Sequence, residues 1–311
     1  MSSVAIVLPT YNNLSELQTC LEALSQQTFR DFTAYVCVDG STDLTLSYLE
    51  KHAPPFVVVL THPDHRNHGR NATRNLVLPY LHRHRWLAFL DSDSIPLPHW
   101  LEAFMEANPS SREVLLGKIL YYADLHPHAW SEYLSWREKV RARTVLDARH
   151  FITINAFIPA QAFVEIGGMD AQIRRHGLGD VEMGYRLEKA GYRFRYVPRA
   201  GVWSKTQPSL RQALLRLYDM AVHNLPYLYK KHPDLQYRLF GGKLLTARTW
   251  RWLLYLLLQP WIARRVLSLT ERLPFPISRW LMRYLVVYAV ARGLWGAKLS
   301  IPLSERERPL P

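Results

Sequence analysis

A chain of 311 residues, 48% apolar and 21% charged, has the make-up of one large folded domain or one domain with an appendage, which excludes disorder, collagen and coiled coil as descriptions of the whole. The net charge of +13 is unevenly placed: residues 1–200 carry 21 basic and 21 acidic side chains, residues 201–311 carry 18 basic and 5 acidic, so two parts with different tasks are expected. Two cysteines cannot build a disulfide framework, a strand-like run from Val4 leaves no room for a signal peptide, and the longest uncharged apolar stretch near the C-terminus, Trp252 to Ile262, falls short of the roughly 20 residues a spanning helix needs.

In chain order, Val4–Leu8, Tyr35–Val38, Phe56–Leu60 and Trp86–Leu90 are short, continuous apolar runs of the kind found in strands buried on both faces. Between them, Leu14, Leu17, Leu21 and Leu24 fall at helical spacing, and helices are predicted over Asp43–Lys51 and Asn71–His82. Strand alternating with helix predicts an α/β domain with a mostly parallel sheet. Residues 94–150 are less regular, with helices predicted over His99–Ala107 and Ala129–Arg143. Gly167-Gly168 and Gly177 to Gly179 mark turns. A helix is predicted over Asp180–Ala190, stopped by Gly191, and a strand over Tyr192–Val197, stopped by Pro198. From Ser209 onward the pattern is all-helical. The expected division is an α/β domain over residues 1–205 and a basic, aromatic-rich helical region over 206–311.

Ligands of such sheets bind beyond the carboxyl ends of the strands, where Pro9-Thr10-Tyr11-Asn12, Asp39 to Asp43 and Asp91-Ser92-Asp93 fall. Asp91 and Asp93, two residues apart past a strand end, suit a hard cation that bridges to a diphosphate, or an ordinary turn. Asp39 suits a hydrogen bond from a nucleobase N–H, or a cap on the next helix. Asp180 suits the N-terminus of a helix with Glu182 in its first turn, or a general base at the mouth of a site. His62, His65 and His68 flank Asp64 and invite a metal reading, but they lack an i, i+4 helical pair, and Pro63 and Gly69 indicate a loop. Cys20 and Cys37 lie in apolar surroundings and read as buried small residues. Asn13-Leu14-Ser15 and Asn71-Ala72-Thr73 match glycosylation sequons by chance if there is no signal peptide.

The order of motifs is more specific than any one of them. Leu8-Pro-Thr-Tyr-Asn12, Val38-Asp-Gly-Ser-Thr-Asp43, Asn67-His-Gly-Arg-Asn-Ala-Thr-Arg-Asn75, Asp91-Ser-Asp93, Ile166-Gly-Gly-Met-Asp170 and Gly179-Asp-Val-Glu-Met-Gly-Tyr-Arg-Leu187 follow one another. Together they resemble a family 2 glycosyltransferase with the GT-A fold, over about residues 1–205. The resemblance implies a nucleotide-sugar donor, usually a uridine diphosphate sugar, a divalent Mn²⁺ or Mg²⁺, and inversion at the anomeric carbon. It implies that Pro9, Thr10 and Tyr11 lie along the nucleotide, that Asp39 meets the base, and that Arg74 and Ser92 lie near the donor. It further implies that Asp91 and Asp93 are the D-x-D metal pair and that Asp180 is the catalytic base. Two positions depart from the family pattern. Gly179 stands where a Glu usually precedes the base, and Val202-Trp203-Ser204 stands where Val-x-His usually supplies a further metal ligand. The Gln-x-x-Arg-Trp motif of processive polymer synthases is absent, which favours transfer of a single sugar.

Trp250 to Trp261 and Arg279 to Arg292 combine aliphatic and aromatic residues with flanking arginines, the composition of helices lying in a membrane interface. A packing subdomain or an oligomer surface has the same composition, and no nucleic-acid-binding motif is present. The expectation is a cytoplasmic enzyme peripheral to the inner, anionic membrane surface, acting on a glycan or lipid-linked acceptor. The rival expectations are a soluble transferase acting on a protein, peptide or small molecule, and a non-catalytic sugar-nucleotide-binding protein.

Overall fold

The structure is a computed structural model that describes residues 2–121, 129–204, 208–239, 251–275 and 277–299. These divide into two compact units, one within residues 1–122, 138–174 and 179–206, the other within 123–137, 175–178 and 207–311.

The first unit opens with the alternation read from the sequence. Strands β1 (Val4–Thr10), β2 (Phe32–Val38), β3 (Val57–Thr61) and β4 (Trp86–Leu90) alternate with helices α1 (Leu14–Ser25), α2 (Thr45–His52) and α3 (Arg70–Asn75). A second series follows: β5 (Ser94–Pro96), α4 (Trp100–Glu106), β6 (Glu113–Tyr121), α5 (Ala129–Arg141), of which residues 129–137 belong to the second unit, β7 (Asn155–Pro159), α6 (Ala160–Glu165), α7 (Gly179–Lys189) and β8 (Arg193–Ser204). One eight-stranded sheet runs β3-β2-β1-β4-β7-β6-β8-β5. The four N-terminal strands pair in parallel, as do β6 and β8, while β7 is antiparallel to both β4 and β6 and β5 is antiparallel to β8.

Burial on both faces explains why β1 reads as an unbroken apolar run. Val4, Ile6 and Leu8 pack on the side of Leu17, Leu21 and Leu24 of α1 and of Trp100 and Phe104 of α4. Ala5 and Val7 pack on the side of Phe163, Met183 and Leu187. Each fully buried aliphatic side chain contributes about 1.5–3 kcal/mol relative to exposure. An aromatic column, Trp86–Phe157–Phe104, crosses the antiparallel joint with ring centroids 5.3 and 4.9 Å apart.

Two expected elements take a different form. Asn71–His82 is not one helix: α3 ends at Asn75 and a 3₁₀ turn covers Leu78–Arg83, because Pro79 has no N–H to continue the ladder. Nor does Pro198 stop the last strand, which runs on to Ser204. The register jumps there, with Val197 opposite Gly117 but Gly201 opposite Lys118, so Pro198–Ala200 form a bulge, the place in a sheet where a residue without an N–H is tolerated. Asn155 fastens this bulge. Its Nδ2 donates to the carbonyls of Ala200 and Lys118, both at 2.9 Å, and its Oδ1 accepts from Trp100 Nε1 at 2.8 Å.

The described part of the second unit is helical, with α8 (Leu210–Lys231), α9 (Arg251–Leu257), α10 (Pro260–Arg272) and α11 (Ser278–Leu294). A reciprocal capping box between Ser209 and Gln212 starts α8. Gly293 lets α11 approach α8 closely: a Cβ there would lie 2.7 Å from Ala221 Cβ and 2.8 Å from the Tyr218 carbonyl. Among the described residues no helix is long and apolar enough to cross a membrane.

Candidate active site

Parallel pairing of β2, β1 and β4 brings the loops after Thr10, Val38 and Leu90 to one edge of the sheet. A cavity of about 190 Å³ opens there, and Pro9, Thr10, Tyr11, Asp39, Arg74, Asp91, Ser92 and Asp93 all line it. Asn13 and Arg70 line it as well. Thr10 Oγ1 donates to Asn13 Oδ1, and Asn13 Nδ2 donates to Ser92 Oγ at 2.8 Å, tying the ends of β1 and β4 together. Asn12 takes a left-handed conformation, φ 47°, and its Oδ1 accepts from the Thr42 N–H at 2.7 Å.

Asp39 is almost fully buried and already accepts from two backbone amides, His68 N–H at 2.7 Å and Gly69 N–H at 3.1 Å. Its carboxylate therefore holds the 62–69 loop against the site while still facing the cavity. His62 Nε2 lies 3.5 Å from the same carboxylate and 3.1 Å from Thr73 Oγ1. Burial, with His68 second, lowers the His62 pKa, and Asp39 opposes this. Among the described residues no group of three or more His, Cys, Asp or Glu side chains is placed to hold a metal.

Arg74 is 1% exposed and pairs through Nη2 with Asp91 Oδ1 at 2.5 Å. Its Nε and Nη1 are buried and have no partner among the described residues. A buried guanidinium that leaves two donor groups unmet is costly unless an acceptor arrives. These orphaned donors suit an anionic ligand. Asp91 and Asp93 supply only oxygen ligands, the chemistry of a hard cation such as Mn²⁺ or Mg²⁺. They fit a site whose remaining ligands come from a diphosphate and water.

Asp180 opens α7 after a strained turn in which Gly177 and Leu178 have φ of 91° and 70°. Its Oδ1 accepts from Thr153 Oγ1 at 2.8 Å. Burial raises its pKa; Arg74 opposes this, and Asp91 adds to it. The departure at position 179 has a local cause. A Cβ on Gly179 would lie 2.6 Å from Asn71 Nδ2, and that amide is committed to the carbonyls of Asp170 and Ile173 at 3.0 and 3.1 Å. Asn71 occupies the space that a side chain at 179 would need. At the other departure, Ser204 is buried opposite Ser94, whose Oγ has no partner.

Sequence reasoning missed the contributions of Asn13, Arg70, Asn71 and Thr153. Asn13 was visible only as a chance sequon, Arg70 and Asn71 lay within the Asn67–Asn75 motif without a role assigned to them, and Thr153 carries no local signal because its partner is 27 positions away.

The model of Glycosyl transferase family 2 matches residues 5–167. The chain is 26% identical over 272 residues to a validoxylamine A glucosyltransferase of Streptomyces hygroscopicus subsp. jinggangensis, covering 76% of this chain and 63% of that one. It is 29% identical over 320 residues to a pre-mycofactocin glycosyltransferase of Mycobacterium tuberculosis, covering 96% of this chain and 63% of that one. The chain thus spans a little under two thirds of the length of these relatives. Among solved structures, a mannosyltransferase from Pyrobaculum calidifontis in complex with GDP-Man and Mn²⁺ superposes with a TM-score of 0.65 at 16% identity, covering 96% of this chain and 88% of the other. The fold is GT-A, and the chain belongs to glycosyltransferase family 2.

Proposed function

We propose that this protein transfers a single sugar from a nucleoside diphosphate sugar, a uridine diphosphate sugar by the motif pattern, to an acceptor hydroxyl with inversion. The carrying observation is the convergence on one cavity of Asp91, Asp93 and the two orphaned donors of Arg74. Tyr11, half exposed at the same cavity, offers a face for the nucleoside. Arg74 Nε and Nη1 donate to the diphosphate and stabilise the charge that grows on it as the glycosidic bond breaks. Asp91 and Asp93 would hold the divalent cation, which would supply further positive charge to the leaving diphosphate. Asp180 takes the proton of the acceptor hydroxyl, and its raised pKa makes it a stronger base than an ordinary aspartate. Holding both substrates in line removes much of the entropic barrier. The Mn²⁺ and GDP-Man bound to the Pyrobaculum neighbour support a metal-assisted nucleotide-sugar reading.

The test is calorimetry of uridine diphosphate and guanosine diphosphate, each with and without Mn²⁺. Wild type is expected to bind one of them with a metal-dependent gain, and Asp93→Ala is expected to lose that gain while keeping its melting temperature. Equal metal-dependent affinity in both proteins removes the metal role from Asp93.

The second unit extends this reading to a peripheral enzyme at an anionic membrane, with a lipid-linked acceptor. Trp252, Leu256, Trp261 and Trp280 are each more than half exposed, on a part of the chain that carries the whole net charge.

A further inference from the structure

The second unit holds a pair of arginines that form no ion pair with a carboxylate among the described residues. Arg279 and Arg283 lie one turn apart on α11, which places their side chains on one face. Arg283 lies over Trp136 at 5.0 Å and over Trp280 at 4.8 Å; Arg279 lies over the same two rings at 5.6 and 5.4 Å. Two guanidinium groups are thus gathered at two indoles, although like charges at this spacing repel. No ion pair to either arginine occurs among the described residues. On the two helices packed against α11, Glu271 of α10 pairs with Arg211 and Asp219 of α8 with His223. Arg279 Nε is buried without a hydrogen-bond partner.

This geometry points to a binding site for the phosphate group of a lipid, held by the paired guanidinium forks of Arg279 and Arg283. Cation–π contacts fix the planes of the forks, and planar forks match the tetrahedral oxygens of a phosphate better than an ammonium does. The incoming oxygens neutralise the repulsion and give Arg279 Nε an acceptor. The surroundings favour a lipid phosphate over a free one: Ile277, two residues before Arg279, and Trp280, directly after it, are 55% and 60% exposed and offer apolar contact to an acyl or prenyl chain. The site is specific for phosphate, beyond the general attraction of a basic surface. It rests on the proposed lipid-facing role of this unit but not on sugar transfer.

Titration calorimetry with a water-soluble, short-chain phosphatidic acid below its micellar concentration tests the site without a membrane. Full-length wild type is expected to bind it at least tenfold more tightly than inorganic phosphate. R279K/R283K keeps both charges but loses the forks, and is expected to bind it at least tenfold more weakly than wild type. R283Q, at an exposed position, is expected to give the same loss, and melting curves establish that each variant is folded. Equal affinity in wild type and R283Q, absence of binding by wild type, or inorganic phosphate binding as tightly as the lipid overturns the proposal. Flotation with anionic vesicles reads the membrane role separately: vesicle binding with no difference between the proteins in calorimetry sinks the site alone.

Discussion

At Asp180, the proposed base role and stability pull apart. Burial raises the pKa of its carboxyl, so the charged form is less favourable in the folded chain than in the unfolded one. The stability lost to this charge is absent below the unfolded pKa and grows as pH rises through the folded one. Asp180→Asn removes the charge and keeps an acceptor for Thr153. Its melting temperature at neutral pH is expected to equal or exceed that of wild type, while the transfer rate falls by about 10²-fold or more. In wild type the rate is expected to fall on the acid side at a pH above the usual aspartate value. A variant that keeps its activity rejects the base assignment.

Gly179 makes a second prediction at this scale. Gly179→Glu forces a side chain against the Asn71 amide and is expected to cost roughly 1–3 kcal/mol in chemical denaturation. In an Asn71→Ala background the same substitution is expected to cost less, a coupling that a double-mutant cycle reads directly. Equal costs in the two backgrounds reject the steric explanation. The sequence showed the departure at 179 but not its reason, because residues 71 and 179 meet only in the fold.

Among elements, β1, β2 and β4 were legible because burial on both faces leaves runs with almost no polar residue, while β3, at the sheet edge and only partly buried, was legible from its run of valines alone. The antiparallel insertion was not legible. β5 is three residues long, and β7 begins on a polar residue, Asn155, that is fully buried. Its amide is the reason that position tolerates polarity, since it satisfies two carbonyls at the bulge and the Trp100 N–H. Asn155→Leu leaves these groups unmet and is expected to destabilise the protein by about 3 kcal/mol or more, since each buried orphan costs about 1–3 kcal/mol. Urea denaturation measures it, and a loss below 1 kcal/mol contradicts the fastening role. Gly117 belongs to the same joint: a Cβ there would lie 2.3 Å from the Ala200 carbonyl. The Asn71–His82 reading failed for an opposite reason. Apolar spacing continued through Pro79, and the periodic signal outweighed the missing N–H.

For the whole molecule, charge was the most legible property, because a net of +13 confined to residues 201–311 needs no structure to be seen. Anionic lipid attracts each nearby basic residue by about 1 kcal/mol, less in salt. Exposed Trp252, Trp261 and Trp280 add an apolar contribution that salt does not screen. Full-length protein is expected to float with anionic liposomes, to be partly released by salt, and to bind neutral liposomes weakly. Remaining unbound with both rejects the membrane reading and leaves these helices as a packing or oligomer surface.

The order of strands also bears on how the chain is made. β4 is buried along its whole length, with β1 on one side and β7 on the other. When a nascent chain has emerged through Leu90, the first four strands are complete, yet Trp86–Leu90 has no second neighbour until Asn155–Pro159 follows. At 5–20 residues per second this interval lasts on the order of ten seconds. Throughout it, a wholly apolar strand edge is open to pairing with other nascent copies on the same polysome. Co-translational aggregation is thus the hazard built into this topology, and chaperone binding during that interval would relieve it.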